Sequence, residues 1–146
     1  MPSQHVRHEV PHAPEEMFAL VADIESYPRF LPLVQALRIK RRDEAAGTMT
    51  AEMVVAYKMF RERFVSDVTL DAAGRRIEAV GVRGPLKSLL NEWRFEDAPG
   101  GGCVVDFRVD FSFRSRIMQA AAQQLLDRGF ERLVRAFEEE AARRYA

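Results

Sequence analysis

Three histidines, one cysteine and two polar residues set among hydrophobic neighbours are the side chains whose types and spacing bear on chemistry. His5 and His8 fall in an alternating segment, Gln4 to Val10. On a strand they point to opposite faces, so they cannot share a metal as i, i+4 histidines on a helix do. Cys103 has no second cysteine to pair with, so no intrachain disulfide forms. It alternates with core positions and reads as a buried small hydrophobe, with a nucleophile as the sharper alternative. Gly100-Gly101-Gly102 lacks the Lys and helix that a phosphate-cradling loop needs. No zinc-ligand spacing occurs and no catalytic set assembles, so the default is a binding protein.

The polar residues that break an apolar pattern are more informative. Glu62 lies between Phe60 and Phe64, and Asn91 between Leu89 and Trp93. Strand parity aims both at the apolar side, where a lone carboxylate is costly. Either they line a cavity and orient a polar ligand group, or they sit near strand ends in contact with water. Gly129 lies in an apolar helical arc, where glycine costs about 0.5–1 kcal/mol relative to alanine. It either leaves room for a ligand or packs closely against a bulky residue such as Trp93.

The elements that must position these residues follow from periodicity. Gln4–Val10 reads as a strand. Pro14, followed by Glu15 and Glu16, opens a helix. Asp23 caps a second short helix that should end near Tyr27-Pro28. From 35 to 113 the period is two, with about six strands. From Ile117 onward the period is helical. Met118, Ala122, Leu125, Leu126, Gly129, Phe130, Leu133, Ala136 and Phe137 fall within an arc of about 140°. The economical arrangement is a single α+β domain over 1–146, an antiparallel sheet curved around a long C-terminal helix. Such a sheet often encloses a cavity.

Charge narrows the function classes. Lys+Arg and Asp+Glu both number 22, which disfavours a protein-wide basic field for nucleic acid. The balance is uneven, though: residues 35–63 carry net +3. Arg38, Lys40, Arg41 and Arg42 form a local cluster, either a solvated strand face or a contact for an anionic partner, RNA or phospholipid. The Pro-stiffened stretch Tyr27 to Leu33 reads as a cavity mouth, a membrane-touching edge or a core lid. No segment approaches 18 apolar residues. The expected location is cytoplasmic, or peripheral at the inner membrane.

Asp23-Ile24-Glu25-Ser26-Tyr27-Pro28-Arg29-Phe30-Leu31-Pro32 resembles the D-x-x-x-Y-P-x-F-x-P segment of the coenzyme Q-binding START-like proteins, within the polyketide cyclase/dehydrase superfamily. The bacterial branch is known as the ribosome association toxin family. Phe60-Arg61-Glu62-Arg63-Phe64, Gly84-Pro85-Leu86-Lys87 with Asn91-Glu92-Trp93-Arg94-Phe95, and Phe111-Ser112-Phe113 with Ala136-Phe137-Glu138 match later blocks in order. Where many members carry an aromatic or Gly and then Cys after the F-x-P, this chain has Leu33 and Val34.

The resemblance implies a helix-grip fold, START-like or Bet v 1-like, with an internal hydrophobic tunnel. It implies non-enzymatic binding of ubiquinone or another polyprenyl lipid in support of respiration. In the toxin branch it implies interference with ribosomal subunit joining, with the ribosome as partner. An aromatase/cyclase-like enzyme on the same fold is the third reading. No cofactor is required; ubiquinone or lipid would be the bound ligand. Tyr27, Phe30, Tyr57, Phe64, Trp93, Phe107 and Phe111 are the expected cavity wall. Glu62 or Asn91 would meet the polar end, with Gly129 leaving room for the ligand beneath the helix.

Overall fold

The alternating stretch forms six antiparallel strands: β2 (Val34–Asp43), β3 (Thr48–Tyr57), β4 (Phe60–Asp71), β5 (Arg76–Arg83), β6 (Leu86–Asp97) and β7 (Cys103–Phe113). They follow β1 (Ser3–Val10) and three short helical pieces: α1 (Pro14–Ala22), a 3-10 turn (Ile24–Ser26) and α2 (Tyr27–Phe30). A 29-residue helix, α3 (Arg116–Arg144), ends the chain. This computed structural model describes residues 3–31, 33–57, 60–83 and 86–145; the side chains of Tyr57, Phe60, Val82, Arg83 and Leu86 lie outside that description.

The sheet order is β1-β7-β6-β5-β4-β3-β2. β2 to β7 form a meander, each strand beside its sequence neighbour. β1 adds at the far edge, with Ser3 opposite Asp110 and Val10 opposite Cys103. Gly102 makes that closure possible, because a Cβ there would run into the Val10 carbonyl. The sheet turns its apolar face toward α3. On β7 that face is Cys103, Val105, Phe107, Phe111 and Phe113, all buried.

Local chemistry sets the helix boundaries. Pro14 starts α1, and the Glu16 carboxylate accepts from the Ala13 backbone N–H at 3.0 Å. Ser115 caps α3, accepting from the Met118 N–H. The expected helix end near Tyr27-Pro28 is corrected. Pro28 sits in the first turn of α2, where its missing N–H costs nothing, and the helix runs on to Phe30. Asp23 makes no side-chain cap; its carboxylate accepts from Arg144 at 3.2 Å.

Two apolar clusters hold the layers together. One joins α1, the 3-10 turn and the Phe137 end of α3 to the sheet through Met17, Leu20, Val21, Phe95 and Cys103. The other joins the start of α3 to the opposite end through Val55, Phe64, Phe111, Phe113 and Ala122. The space between these clusters is incompletely filled.

Candidate functional site

That gap is a cavity of about 290 Å³ between the sheet and α3. The sheet contributes inward residues of β2 to β7, among them Met53, Phe64, Val68, Ile77, Trp93, Phe107 and Phe111. The helix contributes Ala122, Leu125, Leu126, Gly129, Phe130, Leu133 and Phe137. Ile24, Tyr27, Leu31 and Leu33 close a third side. Among the described residues of this lining there is no carboxylate, imidazole, amine or guanidinium. The volume is at the lower edge of ordinary ligand pockets, roughly 300–1,000 Å³.

An aromatic group frames one end. Trp93 faces Phe107 across β6 and β7, with ring centroids 4.3 Å apart, and Phe107 stacks on Phe130 of α3 at 5.7 Å. Phe137 meets Trp93 at 5.2 Å and Tyr27 at 5.5 Å, both edge-on. The Tyr27 hydroxyl donates to the Val21 carbonyl, which fixes the ring in the wall. Burial, reinforced by the nearby Asp23 charge, raises its pKa well above the ordinary phenol value.

Asn91 reaches the wall, between Ala79 of β5 and Val109 of β7. Its Oδ1 is buried without a hydrogen-bond partner. An orphaned acceptor of this kind costs about 1–3 kcal/mol. Ser66 of β4, with the same strand parity as Phe64 and Val68, also lines the cavity. It went unnoticed in the sequence, although that parity would have found it.

Two expected wall residues do not reach the cavity. Phe30 packs edge-on against the aromatic group, 6.0 Å from Tyr27 and 5.4 Å from Phe137, and is absent from the cavity lining. Glu62 faces the same side as its partner Val55, but β5 flanks β4 only from Val65 onward, so Glu62 is left on a half-buried rim. The side chain of Tyr57 lies outside the described residues. Gly129 borders the cavity, and its close neighbour is Leu33 rather than Trp93: a Cβ there would meet Leu33 Cδ1 at 3.1 Å.

The remaining chemical residues are structural. Cys103 is completely buried, and desolvation pushes its thiol up to about 11. His5 pairs with Asp106 and His8 with Glu138, on opposite faces of β1. No group of metal-ligating side chains is found among the described residues.

The basic cluster is divided by a bulge at Lys40. Arg38 and Lys40 lie 3.4 and 3.6 Å from the Glu52 carboxylate on the outer face, and Arg63 of β4 joins them at 3.1 Å. Arg61 lies two residues away on the same face of β4. Arg41 sits opposite Thr50 on this outer side. Arg42 faces the other way, opposite buried Met49, and reaches Glu25 at 3.1 Å. Around Glu52 the outer face of β2 to β4 therefore gathers Arg38, Lys40, Arg61 and Arg63 against one carboxylate, and the linear sequence did not bring Arg61 and Arg63 together with Arg38.

Comparison with known proteins places the fold and site in context. The chain is 30% identical over 128 residues to the ribosome association toxin RatA of Escherichia coli K12, covering 88% of this chain and 79% of that protein. It is 32% identical over 135 residues to the mitochondrial coenzyme Q-binding protein COQ10 homolog B of Xenopus laevis, covering 90% of this chain and 54% of that one. The crystal structure of the Zhui aromatase/cyclase from Streptomyces sp. R1128 superimposes with a TM-score of 0.80 at 20% identity, covering 99% and 97% of the two chains. Residues 10–138 match the sequence model described as polyketide cyclase / dehydrase and lipid transport, and this chain belongs to that family.

Proposed function

We propose that the chain is a non-enzymatic binding protein for a hydrophobic molecule, with a polyprenyl quinone as the favoured ligand. The observation that carries this reading is the apolar cavity held between sheet and helix, with no ionisable acid–base pair among its described lining residues. A family of ligand-enclosing folds and the likeness to a coenzyme Q-binding protein support it. The cavity takes the ring and first prenyl units, and a longer tail leaves along the helix. No described helix is long and apolar enough to cross a membrane. The test is organic extraction of the purified protein with mass spectrometry of the extract. A co-purified quinone or prenyl lipid is the expected result. An empty extract, together with Trp93 fluorescence that ignores added quinone, overturns the reading.

A second reading is favoured by the likeness to RatA and by the outer-face cluster of Arg38, Lys40, Arg61 and Arg63 around Glu52. Here the protein interferes with ribosomal subunit joining. Ribosome profiles after overexpression decide it: a rise in free subunits supports it, and an unchanged profile removes it. The aromatase/cyclase reading rests on the family description and a shared fold, with no acid–base pair among the described lining residues to favour it.

A further inference from the structure

Ser66 and Asn91 interrupt an otherwise apolar lining, and the strand between them has small residues where they face each other. In register, Ser66 pairs with Gly81 of β5, and Asn91 pairs with Ala79 of the same strand. The inward positions of β5 run Ile77, Ala79, Gly81, so the floor narrows from a branched side chain to a methyl and then to hydrogen. With strands about 4.8 Å apart, Ser66 and Asn91 stand about 10 Å apart across the sheet and about 7 Å apart along it. The shallow patch between them accepts a flat group, and Trp93, the next inward residue after Asn91, bounds it.

Both flanking groups have unused capacity. Asn91 Oδ1 is buried with no partner. The Ser66 hydroxyl makes no hydrogen bond among the described residues. The Ser66 hydroxyl donates and accepts, but the free atom of Asn91 is its Oδ1, which only accepts and so calls for a donor such as a ring hydroxyl.

Resting on the cavity reading above, we infer that Ser66 and Asn91 are a two-point polar clamp. It seats a flat ring carrying oxygen functions on opposed edges, over Ala79 and Gly81, with an apolar tail directed along α3. The clamp separates a ring-bearing ligand from a plain lipid chain of the same length, because only the ring satisfies both groups.

The test titrates the full chain with a benzoquinone bearing a ten-carbon alkyl tail, held in its reduced dihydroxy form, and with decylbenzene, which lacks the oxygens, reading Trp93 fluorescence. Wild type binds the quinone more tightly than decylbenzene. Ser66→Ala and Asn91→Leu each weaken the quinone about three- to tenfold, the range for losing one hydrogen bond, and leave decylbenzene within about twofold. Ala79→Val, which raises the floor, weakens the quinone without removing a polar group and serves if Asn91→Leu does not fold. Quinone binding that is unchanged in all soluble variants overturns the clamp while the cavity reading stands. Failure of wild type to bind either probe overturns both.

Discussion

Arg144, in the last turn of α3, lies 3.2 Å from Asp23, 121 residues earlier in the chain at the end of α1. The same guanidinium donates to the Ser26 hydroxyl at 2.9 Å and to Glu140 at 2.7 Å. One side chain thus ties the end of the long helix to the segment that closes the cavity. Glu140 is buried beneath it and also receives Arg143.

Glu140 makes stability depend on pH. Hydrogen bonds from Arg143 and then Arg144 hold its carboxyl at about 2, below the ordinary 4.5. A depressed carboxyl contributes stability above the unfolded-state value, and that contribution disappears as pH falls from about 4.5 toward 2. Because the arginines are partly in water, the expected contribution is about 1–2 kcal/mol. Thermal melts of wild type and Glu140→Gln should differ at pH 7, and the gap should narrow below pH 4.5 and close near pH 2. A gap that persists unchanged at low pH contradicts the assignment.

Phe137 is the keystone of the aromatic group, touching Tyr27, Phe30 and Trp93. Phe137→Ala should cost about 3–5 kcal/mol, the usual range for a buried ring. Urea denaturation measures the loss, and Trp93 emission should shift to the red in the native baseline. A cost under about 1 kcal/mol would mean that the neighbouring rings collapse into the space.

Gly129 separates packing from binding. In Gly129→Ala the new methyl meets only the mobile end of Leu33, so the usual helical gain of about 0.5–1 kcal/mol is largely offset and the melting temperature changes little. Gly129→Leu places a branched side chain into the cavity. Circular dichroism should remain native while quinone binding is lost. Undiminished binding by Gly129→Leu would place the ligand elsewhere.

Cys103 should be chemically silent. Its complete burial and raised thiol pKa leave almost no thiolate at neutral pH. A disulfide reagent at pH 8 should label the native protein only at the rate of unfolding and the denatured protein at once. Rapid native labelling would revive the nucleophile reading.

The architecture was legible because most elements show one clear period; the exception is Ile77 to Val82, whose inward face the alternation does not resolve. Alternation across Met49 to Tyr57 and Cys103 to Phe113 gives strands, and the arc from Met118 to Phe137 gives the helix. What the sequence concealed were relations between strands. The position of Glu62 depends on where β5 begins to flank β4, and the union of Arg61 and Arg63 with Arg38 depends on the β2–β3–β4 register. Phe30, expected in the cavity wall, packs edge-on against Tyr27 and Phe137 instead, a contact that alternation and spacing do not reveal. Asn91 was legible by parity alone, and the same rule applied to Ser66 would have found the second polar wall residue.

The pairing of β1 with β7 joins residues 3–10 to residues 103–110. β1 therefore has no hydrogen-bonding neighbour in the sheet until β7, about a hundred residues later, is in place. Closing such a long loop is entropically costly, and folds dominated by distant pairings assemble slowly. The meander from β2 to β7 can zip locally, one hairpin after another, while β1 waits with its backbone unpaired. The late capture of β1 along β7 then covers the free side of β7 and leaves β1 as one edge of the sheet, with β2 as the other.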